Sequence, residues 1–218
     1  NSDSALNGVT QVGNAIVYRS LGNEAAYNEG FYGIAYQFKD SAGNVTETVI
    51  SYRGTDSLVG NSYNGGSDFN NGFAIGSGNP YSSSQGLLAI AFYLQVASAV
   101  YGGSVDPHSS TLDISFTGHS LGGGLAGYVG DLYTQKAIIF DNMPFELAAN
   151  TVYNDASSGS GIHSDYTSNV YGPLPVWHNS IDDIRGYYTQ GDDALFDDDF
   201  LTNLRYLQAT GETPLDLG

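Results

Sequence analysis

Ser120 stands in the pentad Gly118-His119-Ser120-Leu121-Gly122, with the apolar run Leu112 to Phe116 before it and a helix-compatible stretch, Leu121 to Gln135, after it. That order predicts a strand, a sharp corner and a helix. A serine at such a corner is held in strained backbone geometry with its hydroxyl projected outward. Glycines two positions to either side let strand and helix close on each other without collision. The chemistry that suits this arrangement is nucleophilic attack on a carbonyl carbon. The Leu121 amide, at the helix start, then faces the oxygen that gains charge and can donate to it. The same letters also fit a glycine-rich turn whose serine merely caps the helix. The strand-before, helix-after context favours the nucleophile.

Upstream, Val49-Ile50-Ser51-Tyr52 alternates like a strand and delivers Arg53-Gly54-Thr55 to a sheet edge. Together with Gly118-His119-Ser120-Leu121-Gly122-Gly123, this Arg-Gly-Thr segment resembles the class 3 lipase family, over roughly residues 32–192. The resemblance implies an α/β-hydrolase fold, with a mainly parallel central sheet and helices on both faces. It also implies that Thr55 supplies the second oxyanion donor through its amide and hydroxyl, and that the glycine-rich stretch 60–78 holds a lid. Leu58, Val59, Tyr63, Phe69, Phe73 and Ile75 are the apolar residues available to such a lid. A solvated connection with its aromatics tucked onto the core is the competing reading.

A serine hydroxyl needs a base, normally a histidine oriented by a carboxylate. Asp192 follows the strand-like Ile184 to Thr189 in a Thr-Gln-Gly-Asp context that resembles the family's acid position. It is preferred to its neighbour Asp193 and to Asp141, which follows an earlier strand. Asp192, Asp193, Asp197, Asp198 and Asp199 also read as a solvated acidic face, or as hard oxygen ligands for a structural Ca²⁺, although no EF-hand loop is present. No cofactor or metal is needed for the chemistry itself.

The family pattern puts the histidine after the acid, yet His108, His119, His163 and His178 all precede Asp192. His119 is expected to turn into the structure around the corner, His108 to lie in a loop, and His163 and His178 to reach the serine only through an unusual topology. The chain opens at Asn1 and closes Thr213-Pro214-Leu215-Asp216-Leu217-Gly218, which reads as a portion of a longer polypeptide. The expectation is therefore a single domain over residues 1–218, truncated or cleaved at its C-terminal end. The base would be carried beyond Gly218 or by a C-terminal fragment acting as partner. Arg53 is assigned to structure, as a strand-end cation among many carboxylates.

Length and composition bound the rest. A chain of 218 residues with 41% hydrophobic content can bury one substantial core. Six Lys and Arg against 23 Asp and Glu give a formal charge of −17, which excludes nucleic acid as a partner and disfavours anionic lipid surfaces. Cysteine is absent, so neither disulfides nor thiol chemistry enter. The abundance of Asn, Gly, Ser, Asp and Tyr resembles secreted bacterial proteins, and the expected location is extracellular. Leu87 to Val100 is the longest apolar stretch, broken by Gln95 and Ser98, and reads as a core helix capped by Ser82, Ser83 or Ser84 rather than a transmembrane segment.

The remaining elements follow from periodicity. Ala15 to Tyr18 and Ala25-Ala26-Tyr27 suggest helical turns, and Phe31 to Phe38 and Val45 to Tyr52 form a hairpin around Asp40-Ser41-Ala42-Gly43-Asn44. Lys136 to Phe140 is a strand, a helical segment runs through Val152, and 154–175 is an irregular excursion. The resemblance implies a secreted triacylglycerol lipase, a serine esterase acting on lipid acyl esters. A phospholipase A1 or a short-chain esterase would use the same centre. A non-catalytic lipid-binding or interaction domain that keeps the serine corner is the reading from a different class.

Overall fold

The computed structural model describes residues 11–12, 14–21, 29–55, 74–103, 105–158, 184–189 and 213–215. Its strands are β1 (Gln11–Val12), β2 (Ala15–Leu21), β3 (Gly33–Lys39), β4 (Val45–Tyr52), β5 (Ile114–His119), β6 (Lys136–Phe140), β7 (Ile184–Thr189) and β8 (Thr213–Leu215). Among the described residues they form one sheet in chain order. From β1 to β4 the neighbours run antiparallel, and from β4 to β8 they run parallel. The sheet is therefore mixed, an α/β arrangement in which the expected parallel half is preceded by an antiparallel meander.

Short connections explain the first half and helical crossovers the second. Between β3 and β4, the Asp40 carboxylate accepts hydrogen bonds from the Ala42 and Asn44 amides at 2.9 and 2.8 Å and from Asn44 Nδ2, which closes the tight turn. Parallel neighbours need longer returns. These are α1 (Ser84–Tyr101), α2 (Leu121–Tyr133) and α3 (Glu146–Ser158). Ser83 caps α1, its hydroxyl accepting from the Gly86 amide at 3.0 Å. Of the three serines the sequence offered, the middle one does the capping.

The register puts Ile50, Phe116, Ala137 and Ile184 in one row across the sheet, and Tyr52, Gly118 and Ile139 in the next. These side chains are buried under the helices. In α1, Ala89, Ile90, Tyr93, Val96 and Ala97 recur at helical spacing and face inward; Tyr93 meets Phe116 edge-on at 5.2 Å and Tyr133 at 5.0 Å. The Tyr52 hydroxyl donates to the Ala89 carbonyl at 2.8 Å, which satisfies the polar end of a buried ring. Every residue of α2 is buried, sandwiched between the sheet, α1 and α3. Each large side chain so enclosed contributes on the order of 1.5–3 kcal/mol, so the corner at the start of α2 rests on a fully buried helix.

Two expectations change, those for Ala15 to Tyr18 and for Ile75. Ala15 to Tyr18 lies in β2 rather than a helical turn: Ala15 is buried while Ile16 and Tyr18 are exposed, a period of two fixed by pairing with β3. Helices cover one face of the sheet among the described residues, and on the other face Ile138 and Phe140 are exposed. Ile75 sits in a helical turn at 74–76 with no solvent exposure, so it belongs to the core and not to a lid. Leu58, Val59, Tyr63, Phe69 and Phe73 lie outside the described residues, as do Ala25 to Tyr27 and the excursion beyond Ser158. One described helix, α1, has the length and apolarity to cross a membrane, with a mean hydropathy of 1.3; its inward face is committed to the core.

Candidate active site

The parallel strands end together. Tyr52 pairs with Gly118 and His119 with Phe140, so the chain leaves β4, β5 and β6 at a common edge carrying Arg53-Gly54-Thr55, Ser120 and Asp141. Phe140 pairs in turn with Tyr187, so β7 finishes at the same edge. Asp192, three residues after β7, lies outside the described residues.

Ser120 has φ 55° and ψ −124°, in a region that a residue with a side chain rarely adopts. Such a conformation costs on the order of 1–3 kcal/mol and persists only where its surroundings over-determine it. They do so here through the backbone. The Ser120 amide donates to the Phe140 carbonyl at 3.0 Å, and the Ser120 carbonyl accepts from the Gly124 and Met143 amides, each at 3.0 Å. The Ser120 hydroxyl makes no capping bond to α2, so the reading of this serine as an ordinary helix cap fails among the described contacts. Its side chain is half-buried at the corner, directly before the Leu121 amide that begins the helix.

The flanking glycines are required by close approach. A Cβ on Gly118 would fall 2.2 Å from the Gly122 carbonyl oxygen, and one on Gly122 would fall 2.2 Å from that of Tyr52. Strand β5, the first turn of α2 and the end of β4 are thus in backbone contact. The same closeness brings the Arg-Gly-Thr segment to the serine: a Cβ on Gly54 would stand 2.7 Å from the His119 carbonyl oxygen and 3.5 Å from Ser120 Cβ. Thr55 follows immediately, half-buried.

One neighbour differs from expectation, and Arg53 takes the structural role expected of it. The His119 side chain is 67% exposed, and its Nε2 lies 3.5 Å from an Asp141 carboxylate oxygen, so the imidazole looks outward instead of into the corner. The cause is parity: His119 falls on the open face of β5, opposite to Phe116 and Gly118. Arg53 is tied to main chain, its Nη2 donating to the Gly30 carbonyl at 3.1 Å and its guanidinium lying 5.7 Å over the Tyr32 ring.

Sequence reasoning weighed Asp141 only as an alternative acid and passed over Asn142 and Met143. Asp141 takes a positive φ of 41° while its amide donates to the Tyr187 carbonyl at 2.7 Å, and Asn142 and Met143 then fold against Gly123 and Gly124 at the start of α2. The Asp-Asn-Met-Pro run after an apolar strand was the available signal. His108 is remote from this edge, its ring tilted against that of Tyr133 at 4.9 Å, at the far end of α2. Its side chain is 9% exposed, and burial pushes its pKa below the usual histidine value, with Asp106 acting in the opposite direction. His163 and His178 lie outside the described residues. So do Asp193, Asp197, Asp198 and Asp199; among the described residues no three His, Cys, Asp or Glu side chains gather as metal ligands do.

No family model matches the sequence, and no curated protein matches it. Among solved structures, the chain is similar to the extracellular lipase LipA from Serratia marcescens, at 18% sequence identity and a TM-score of 0.43. That likeness covers 98% of this chain and 29% of the lipase chain. No family membership follows from it.

Proposed function

We propose that this protein is a serine carboxylic-ester hydrolase of the triacylglycerol lipase type, built on an α/β-hydrolase-like fold and working outside the cell. The observation that carries the reading is the backbone of Ser120: a positive φ at a strand-to-helix corner, held by three main-chain hydrogen bonds, with the hydroxyl left uncommitted to the helix. Strain maintained by so many contacts is characteristic of sites where a side chain must be presented in one orientation.

In the proposed reaction the Ser120 oxygen bonds to the acyl carbon while its proton passes to a histidine. The tetrahedral oxyanion is held by the amides of Leu121 and Thr55, with help from the Thr55 hydroxyl. Each such donor is worth roughly 3 kcal/mol of transition-state stabilisation. The ester C–O bond then breaks, the histidine returns the proton to the leaving alcohol, and water hydrolyses the acyl-enzyme by the same route in reverse. Asp192 orients the histidine. His108 and His119 face Tyr133 and Asp141 respectively, so the base is His163, His178 or a histidine supplied from outside this sequence. No metal or cofactor takes part in these steps.

The test is hydrolysis of glycerol and p-nitrophenyl esters across acyl lengths by the full-length gene product and its Ser120→Ala variant. Turnover that rises with acyl length and disappears in the variant supports the lipase. Activity confined to short acyl chains indicates an esterase, and release from diacylphospholipid a phospholipase A1. Binding of lipid without turnover by folded protein overturns the hydrolase reading in favour of a binding domain.

A further inference from the structure

We infer that Arg53 is a positioning residue for the oxyanion donors, a proposal that rests on the hydrolase reading above. Its guanidinium fixes where Thr55 stands relative to Ser120. The need for such a device follows from the end of the sheet ladder. The last pairings of β4 are at Tyr52, with Gly33 on one side and Gly118 on the other. Thr55 lies three residues further on, where strand hydrogen bonds no longer set its place.

Arg53 bridges that gap in two ways. Its amide donates to the Tyr32 carbonyl at 3.0 Å, and its Nη2 donates to the Gly30 carbonyl at 3.1 Å while the planar group lies over the Tyr32 ring. The 29–32 turn is itself fastened to the first turn of α1. Gln85 Nε2 donates to the Glu29 carbonyl at 2.7 Å, and the Ser84 hydroxyl donates to the Glu29 carboxylate at 2.6 Å. A continuous set of contacts therefore runs from the buried start of α1, through Glu29 and Gly30, to the residue two before Thr55. On its other side the segment abuts the serine corner at Gly54. A flat, rigid group that both hydrogen-bonds a carbonyl and covers a ring suits this task, and an ammonium on a flexible stem does not reproduce it.

Oxyanion donors act through placement, and a displacement of about 1 Å is enough to cost about 100-fold in rate. The experiment compares wild type, Arg53→Met and Arg53→Lys in the full-length gene product, using steady-state hydrolysis of p-nitrophenyl butyrate and thermal melting. Expected is a fall in kcat of about 10- to 100-fold for Arg53→Met with KM changed by less than about threefold, and partial recovery in Arg53→Lys. Should Arg53→Met fail to fold, Arg53→Lys and Tyr32→Leu carry the test, each expected to lower kcat several-fold at nearly constant KM. Variants that melt earlier yet keep the wild-type kcat overturn the proposal and leave Arg53 a purely structural residue. A wild-type protein without esterase activity removes the hydrolase reading and this proposal together, whereas an active wild type with unaffected variants removes this proposal alone.

Discussion

Replacing Gly122 by alanine adds one methyl group at a point of close backbone approach in the site, and its consequences can be worked from the geometry. The new Cβ would lie 2.2 Å from the Tyr52 carbonyl oxygen and 2.7 Å from the Arg53 carbonyl carbon. Ordinary contact begins at 3.4 Å, so the end of β4 must withdraw by about 1.2 Å. Both obstacles are backbone, so no side chain can rotate aside. Overpacking of this kind costs about 1–3 kcal/mol, against which alanine recovers up to about 1 kcal/mol of helix propensity in α2. A net loss of about 1–2 kcal/mol in a domain of this size lowers Tm by roughly 2–8 °C. The displaced segment leads straight into Gly54 and Thr55, so the rate of Ser120 acylation should fall about 100-fold as well. Differential scanning calorimetry and ester turnover measure the two effects. Gly103→Ala is the control, since its Cβ would meet nothing nearer than the Ser98 hydroxyl at 3.8 Å, and it should change stability by less than about 0.5 kcal/mol. A Gly122→Ala protein that melts and turns over like wild type would refute the close approach of β4 and α2.

Ser83→Ala removes the hydroxyl that caps α1 and should cost about 1 kcal/mol, lowering Tm by roughly 2–4 °C in calorimetry without altering turnover; an unchanged Tm would show that the cap is dispensable. His108 supplies a pH test. Its folded pKa lies below the usual value near 6.5, so it favours folding when neutral, and that contribution is lost as pH falls below about 6.5 and the unfolded chain takes up the proton first. Tm should therefore drop more steeply between pH 7 and pH 5 in wild type than in His108→Gln, and parallel curves would contradict the assignment.

What the sequence disclosed, and what it concealed, divides along a physical line. Elements specified by local pattern were legible: β6 and β7 match the expected Lys136 to Phe140 and Ile184 to Thr189, and the Asp40 to Asn44 turn closes the hairpin. The serine corner was legible because the requirement for small residues at Gly118 and Gly122 is itself written in the sequence. The start of the chain was misread because Ala15 to Tyr18 is too short for its period to show, and pairing with β3 decides its form. The outward turn of His119 and the clamp from Arg53 to Gly30 were hidden for another reason. Both depend on which strand lies alongside and on which face a residue falls, and no local pattern encodes a partner 23 positions away. Asp192 and its acidic neighbours fall outside the described residues.

The central claim is that Ser120 is presented as an activated nucleophile, and a fluorophosphonate probe addresses it directly. Intact-mass measurement of the full-length protein after exposure should show one adduct per chain, peptide mapping should place it on Ser120, and Ser120→Ala should remain unlabelled. Folded protein that acquires no adduct, or acquires it on another serine, would contradict the account.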